Sequence, residues 1–275
     1  MNMSVTITAS DVNKLRTITG AGMMDCKKAL VESNGDFENA IDILRKKGQK
    51  VAANRSDRDA KEGRIVALTT GQFGIVIALN SETDFVAINE DFKNTTDAFA
   101  KIALEKAPVD HATLLSLQYE GMTIGEKVIE MVGRIGEKIE LAKYEQLSAS
   151  SVISYNHPGN KLACIVGFNK VVSDELGRNV AMQVAAMAPV AVDKDDVDTT
   201  MLERELDIAR EQVRAEGKPE DMIEKIAQGK INKFYKESTL LNQEFIKDNK
   251  KTIRQYLQDS DKELTVTGFK RIILG

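Results

Sequence analysis

Residues 63–79, GRIVALTTGQFGIVIAL, decide the fold class. At Gly63 the apolar pattern changes to period two. Ile65-Val66-Ala67-Leu68 and Ile75-Val76-Ile77-Ala78-Leu79, separated by Thr70-Gly71-Gln72, read as a β-hairpin by turn and flanks. A short polar loop, 80–84, then leads into a helical stretch whose Phe92, Phe99, Ile102 and Ala103 face a core and which ends at Pro108. The same order recurs further on. Val152-Ile153-Ser154-Tyr155, the turn His157-Pro158-Gly159-Asn160 and Leu162-Ala163-Cys164-Ile165-Val166 predict a second hairpin, followed by a helix from about Ser173 to Ala188-Pro189. Order and spacing, more than identity, point to an internal duplication. Between the two, residues 137–147 offer a third strand for the second sheet.

Before this core, Thr8 to Gly48 reads as three short helices. Thr8 with Asp11 is a variant capping box, and Val12, Leu15 and Ile18 recur on one face. Gly20-Ala21-Gly22 breaks that helix. A second runs from Met23 to Ser33 with Cys26, Ala29 and Leu30 inward. Asn34-Gly35 ends it, and Asp36 caps a third whose Phe37, Ala40, Ile41 and Leu44 share a stripe until Gly48 stops it. Residues 49–62, QKVAANRSDRDAKE, have no apolar periodicity and read as a linker or a solvated helix extension. After the core, Val197 to Lys236 reads as a helical hairpin. Met201, Leu202, Leu206, Ala209 and Val213 form one seam, and Met222, Ile223, Ile226 and Ile231 the other, with Gly217-Lys218-Pro219 as the turn. Two narrow stripes on Glu-, Lys- and Arg-rich helices predict a projecting antiparallel coiled coil. A short helix around Ile253 to Leu257 and strand-like Leu264-Thr265-Val266 and 269–274 complete the tail. The expected class is α+β: a small three-helix domain (1–55), then a two-subdomain core (56–140 and 141–275) with antiparallel sheets, the helical hairpin inserted at about 196–237.

Composition narrows the function. Of 275 residues, 42% are hydrophobic and 29% charged, enough for a core. Lys+Arg 38 against Asp+Glu 42 leaves −4, which argues against a protein that coats phosphate backbones. No run of 18 apolar residues exists to span a bilayer. Met1 to Asp11 lacks the basic and apolar regions of a secretory signal. Cys26 and Cys164 are far apart, as in a reducing cytosol. His111 and His157 sit in loops with no metal-ligand spacing, so no metal or cofactor is expected. There is no P-loop, no dinucleotide fingerprint and no nucleophile elbow, and no carboxylates or lysines pair at a telling spacing. Chemistry on a substrate starts as a weak hypothesis.

The informative residues are apolar ones in exposed places. Met23 and Met24 occupy the first turn of a helix, where one can face the core but hardly both. A partner contact and gap filling compete there. In Thr83-Asp84-Phe85-Val86, the local reading makes Thr83 or Asp84 a helix cap and Phe85 the closure of its base. The functional reading makes Phe85 a wedge beside a carboxylate. The residues by themselves lean to the first. Gly133-Arg134-Ile135-Gly136 resembles an RNA-clamping GXXG but lacks a basic surround, and reads better as a tight turn before a strand.

At these residues the chain resembles the bacterial translation elongation factor Ts family. Leu15-Arg16, Thr19-Gly20-Ala21-Gly22-Met23-Met24-Asp25-Cys26-Lys27-Lys28-Ala29-Leu30 and Asn34-Gly35-Asp36 are similar to its ubiquitin-associated-like (UBA-like) N-terminal domain. Glu82-Thr83-Asp84-Phe85-Val86-Ala87 resembles its core signature. Ile135-Gly136-Glu137, Lys233-Phe234 with Glu237, and Leu240-Leu241-Asn242-Gln243-Glu244-Phe245 resemble further patterns. The resemblance implies a cytoplasmic guanine-nucleotide exchange factor that binds elongation factor Tu, GDP-bound and nucleotide-free, and breaks no bonds. Asp84 and Phe85, flanked by Thr83 and Val86, would displace the partner's Mg²⁺. Leu15, Arg16, Met23, Met24 and Lys27 would dock the helical domain, and Ile135-Gly136 would add core contacts. Gln183 stands where many members carry His before Val-Ala-Ala, so it would contact the partner's distal domain without a positive charge. The sequence stops at Gly275, where many relatives continue into a helix embracing the partner, and lower affinity is the expectation. The competing reading is a non-catalytic binding module that grips ubiquitin-like or other apolar surfaces with the three-helix unit. Self-association through the helical hairpin is left open, and direct nucleic-acid binding is not expected.

Overall fold

The computed structural model describes residues 6–275, so the reading of residues 1–11 as free of a leader falls partly outside the described residues. The chain begins with α1 (Ala9–Thr19), α2 (Met23–Glu32) and α3 (Phe37–Ala53). At the start of α1, the Thr8 hydroxyl accepts the Asp11 N–H while the Asp11 carboxylate accepts the Thr8 N–H. Asn34 and Gly35, at φ 51° and 84°, turn the chain, and Asp36 accepts the Asn39 N–H to start α3. Val12, Leu15, Cys26, Ala29, Leu30 and Ala40 form the small core. Ile18, expected among them, is 57% exposed. Each three-residue step turns the stripe by about 60° on a helix of 3.6 residues per turn, so the third member leaves the face that Val12 and Leu15 share.

Gly48 does not stop α3. The helix continues to Ala53 because Gly48 lies against α7 (below): a Cβ placed on Gly133 would stand 2.7 Å from the Gly48 Cα. The expected linker is therefore helical over 49–53 and irregular only from 54 to 61.

β1 (Glu62–Thr69) and β2 (Phe73–Ser81) form the hairpin over 63–79, closed by the Thr70 N–H donating to Phe73 O. After it come α4 (Asp84–Ala87), α5 (Glu90–Lys106), α6 (His111–Ser116), the two-residue strands β3 (Gln118–Tyr119) and β4 (Met122–Thr123), and α7 (Ile124–Ile135). Gly133 is thus interior to a helix, and only Gly136, at φ 82°, makes the turn expected of the whole 133–136 segment. β5 (Ile139–Ser148) follows, then β6 (Ser151–Asn156), β7 (Leu162–Phe168) and α8 (Asp174–Met187).

The third strands fall differently from expectation. β5 joins the first sheet, in the order β1-β2-β5, while the second sheet takes the C-terminal strand β10 (Val266–Ile273), in the order β10-β7-β6 with both pairings antiparallel. β2 and β7 are buried along almost their whole length, so each occupies the middle of its sheet and needs a neighbour on both edges. The expected breaks in the tail also close up, because residues 266–273 are one strand with a single irregularity near Gly268. The architecture is α+β with antiparallel pairing.

The chain divides into two compact units: one runs to Val66 and includes Ile77–Tyr144 and Leu274–Gly275, and the other holds Ala67–Val76 and Glu145–Ile273. In the first, Phe92, Phe99 and Ala103 of α5 are buried as expected, while Ile102 is half-buried. The second contains α9 (Thr199–Ala215) and α10 (Glu220–Ser238), then β8 (Glu244–Phe245), β9 (Asp248–Thr252) and α11 (Ile253–Ser260). α9 and α10 pack as a helical hairpin around Ala209, Val213, Ile223, Ala227 and Ile231, with Gly217 at φ 70° in the turn. Met201 and Met222 of the expected seams are exposed, which leaves a stripe of mostly small and β-branched residues. Arg210 bridges the two helices through a two-pronged ion pair with Glu224, at 2.9 and 3.0 Å. In both units the helix that follows a hairpin ends alike: Ala107 and Ala188 take left-handed conformations (φ 45°, ψ 53° and φ 43°, ψ 53°), each immediately before proline.

Candidate functional site

β2 delivers the chain into a segment where three consecutive side chains are tied down and the next two are not. Ser81, fully buried, donates its hydroxyl to Thr83 O at 2.9 Å. The Glu82 carboxylate accepts the Lys138 N–H at 2.6 Å and ion-pairs with Arg55 at 2.8 Å and Arg58 at 3.1 Å. These contacts, the Lys138 amide first among them, hold Glu82 down at about 2. Thr83 gives its N–H to Glu137 at 3.1 Å and its hydroxyl to the same carboxylate at 2.9 Å. Thr83 therefore does not cap α4 with its side chain, contrary to the local reading of these residues.

α4 is a single turn. Val86 and Ala87 are buried and anchor it, whereas Asp84 and Phe85 point to solvent. Phe85 is 79% exposed, so it does not close the base of the next helix. Ile88 lies three residues on, is also exposed, and lengthens the apolar edge. Leaving a phenylalanine in water forgoes about 1.5–3 kcal/mol that burial would give. A side chain held out in this way, on a loop pinned from both flanks, is poised to be buried by something else.

The other expected contact residues divide by exposure. Met23 and Met24 are 52% and 64% exposed, so neither fills the small core, and both lie on α2 with exposed Lys27; Arg16 is exposed on α1. Ile135 and Gly136 are half-buried at the end of α7, directly before the Glu137 that holds Thr83. Leu15 and Gln183 have no exposed surface. Leu15 belongs to the three-helix core. The Gln183 amide donates to Gln243 Oε1 and Glu244 O at 3.1 and 3.0 Å and accepts the Ile246 N–H at 2.9 Å. A direct contact through either side chain would need the surrounding structure to open.

Glu82 enters the sequence reading only as part of a motif and Glu137 only as part of another, and neither motif shows that these carboxylates fix the loop. Hydrogen bonds across 54 and 56 residues leave no local pattern in the chain. Among the described residues no group of three or more His, Cys, Asp or Glu is placed to hold a metal ion, and no helix is long and apolar enough to cross a membrane. Both cysteines are buried, and burial pushes the Cys164 thiol up to about 12, so it is a poor nucleophile.

Comparison with known proteins converges on one family. The family model described as Elongation factor TS matches residues 82–275, beginning at the Glu82 that precedes the wedge-like turn. Elongation factor Ts of Flavobacterium psychrophilum is 52% identical over 274 residues, covering 98% of this chain and 99% of its own length. That of Cytophaga hutchinsonii is 53% identical over 277 residues with the same coverage, and that of Porphyromonas gingivalis 50% identical over 270 residues, covering 98% of each chain. At this identity over nearly the whole length, the chain belongs to the elongation factor Ts family.

Proposed function

We propose that this chain acts in translation elongation as a cytoplasmic guanine-nucleotide exchange factor for elongation factor Tu, binding it with GDP and without nucleotide. The observation that carries the reading is Phe85, exposed at the tip of a turn whose flanks are fixed, in a chain of this family. Asp84 and Phe85 enter the partner beside its Mg²⁺–phosphate site, with Thr83 held behind them and Val86 as anchor. Mg²⁺ demands near-ideal octahedral geometry, so a small displacement of its supports weakens GDP strongly. Linkage makes the effect reciprocal: a factor that loosens GDP is itself loosened by GDP, and GTP then refills the site. No bond is made or broken, and the chain needs no cofactor of its own.

In this reading the helices of residues 1–55 form a UBA-like docking module whose Arg16, Met23, Met24 and Lys27 meet the nucleotide domain. Residues 56–140 and 141–275 form the core, and α9–α10 is a coiled-coil insertion. Ile135-Gly136 contacts the partner next to the wedge. Leu15 and Gln183 act from behind, by supporting α1 and the β8–β9 strap. The test is the release rate of fluorescent GDP from elongation factor Tu with the wild-type chain and with Phe85→Ala. Acceleration by the first and collapse with the second supports both function and wedge. Equal acceleration moves the mechanism to other contacts, and no acceleration by either leaves a binding module as the better account.

A further inference from the structure

Three stretches that lie far apart in sequence meet around one carboxylate. Glu82 accepts the backbone N–H of Lys138, and Glu137 accepts the backbone N–H of Thr83. The two segments are thus joined by a reciprocal pair of carboxylate–amide bonds, each side chain holding the residue next to the other. One segment leads into Asp84-Phe85. The other follows directly from Ile135-Gly136, where Gly136 at φ 82° takes the left-handed turn that aims Glu137 back at Thr83. The third stretch is the chain leaving α3. Arg55 and Arg58 both reach Glu82, and the Lys138 ammonium donates to Ser56 O at 3.1 Å and Arg58 O at 2.9 Å. Since α3 is also seated on α7 through Gly48 and Gly133, α3, against which the Met23–Met24 helix α2 packs, is fixed to the same knot at two points.

We infer that Glu82 and Glu137 are positioning residues that clamp the Asp84–Phe85 turn, the Ile135–Gly136 corner and the end of α3 into one rigid contact surface. Charge-assisted bonds of this kind are short and directional, and a pair of them across one junction removes its hinge freedom. The inference rests on the exchange reading. A wedge can push only against something that does not yield, and a loop free to swing would bury Phe85 in the partner without moving the Mg²⁺ supports.

The test uses the full chain with Glu82→Ala, Glu137→Ala, Glu82→Gln and Phe85→Ala, and records fluorescent GDP release against factor concentration. The expected result for either alanine variant is a saturating release rate lowered at least about tenfold, since misplacement by an ångström is costly, with much less change in the half-saturating concentration. Glu82→Gln, which keeps an acceptor for the Lys138 amide, should recover part of the rate. Combined with Phe85→Ala, Glu82→Ala should cost nothing further, because the support has nothing left to support. Hydrogen exchange at the Thr83 and Lys138 amides, protected in the wild type, should speed up in the variants while the core amides of β7 stay protected, which separates a loosened turn from an unfolded chain. Saturating rates equal to wild type, or losses that add in full to Phe85→Ala, overturn the inference while leaving the exchange reading intact. A wild-type chain that does not accelerate release overturns the exchange reading itself.

Discussion

The two hairpin-to-helix connections of this chain share a ground plan and differ in what they present. After β2, the chain enters α4 and sets Phe85 beside a carboxylate, held by Glu137 and Glu82. After β7, the chain passes directly through 169–173 to α8 and sets Val171, 84% exposed, at the tip. That second loop is also tied down: Asn169 exchanges hydrogen bonds with Glu263 O and the Thr265 N–H, and Lys170 binds Asp261 and Glu263. Rigidity is thus common to both, and the extra turn with its large apolar side chain is particular to the first. The polar supports deeper in each unit differ as well. Glu82 and Glu137 hold the first through charge, while Gln183 and Gln243 hold the β8–β9 strap of the second through neutral amides.

The largest test of this contrast is a pair of truncations at the two tips. Phe85→Ala should slow GDP release by roughly 10- to 150-fold, the equivalent of the ~1.5–3 kcal/mol that burying the ring supplies. Val171→Ala should leave release unchanged and stability within about 0.5 kcal/mol, as for an isolated surface residue. A Val171 variant as defective as the Phe85 variant would break the comparison. Next comes the amide support. Gln183→Ala strands the Ile246 N–H and the acceptors at Gln243 and Glu244, which should cost about 1–3 kcal/mol in urea unfolding and leave the Thr83 amide protected from exchange.

A comparable change should follow in the helices that back each connection. Gly133→Ala places a methyl 2.7 Å from the Gly48 backbone, which cannot rotate away, and should cost about 1–3 kcal/mol despite the better helix propensity of alanine. Gly177→Ala meets Ile153 Cγ1 instead, at 2.4 Å, with Val172 at 3.2 Å behind it. That atom sits next to the Cβ of a β-branched side chain that is stiff at χ1, so the cost in the same melt should be similar. Acid gives the smallest and most selective effect. Glu82 titrates at about 2 in the folded chain and at about 4.3 when unfolded. A depressed folded value means its contribution is complete above about pH 4.3 and fades as pH falls toward 2. The stability gap between wild type and Glu82→Gln should therefore close over that window. The Ile246 amide, bound to neutral Gln183, gains no acid sensitivity from its partner.

Much of the local structure is legible because its causes are local. Thr8 with Asp11, Asp36, Ser173 and the Gly217-Lys218-Pro219 turn announce helix ends by capping and backbone preference over a few residues. Glycine misleads where its reason lies far off. Gly48 and Gly133 read as a stop and a turn, but they are the contact of two helices 85 residues apart in sequence (133 − 48) and make sense only as a pair. The 109–135 region carries local signals too, Asp110 capping α6 and Thr123 with Glu126 boxing the start of α7, but these fix helix ends and leave the β3–β4 bridge and the seat of α7 on α3 to distant partners.

The sequence alone determined the α+β class, both hairpins, the three N-terminal helices and, through its motifs, the family. Each of these rests on periodicity or on residues contiguous in the chain. Tertiary structure alone decided that 139–148 joins the first sheet and 266–273 the second, that Gln183 is spent inside the fold, and that Phe85 stands in solvent rather than under α5. The physical reason is the same in each case. Strand neighbours, burial and the direction of a side chain are set by partners tens of residues away, and a carboxylate at 137 leaves no mark on the sequence at 83 until the chain has folded.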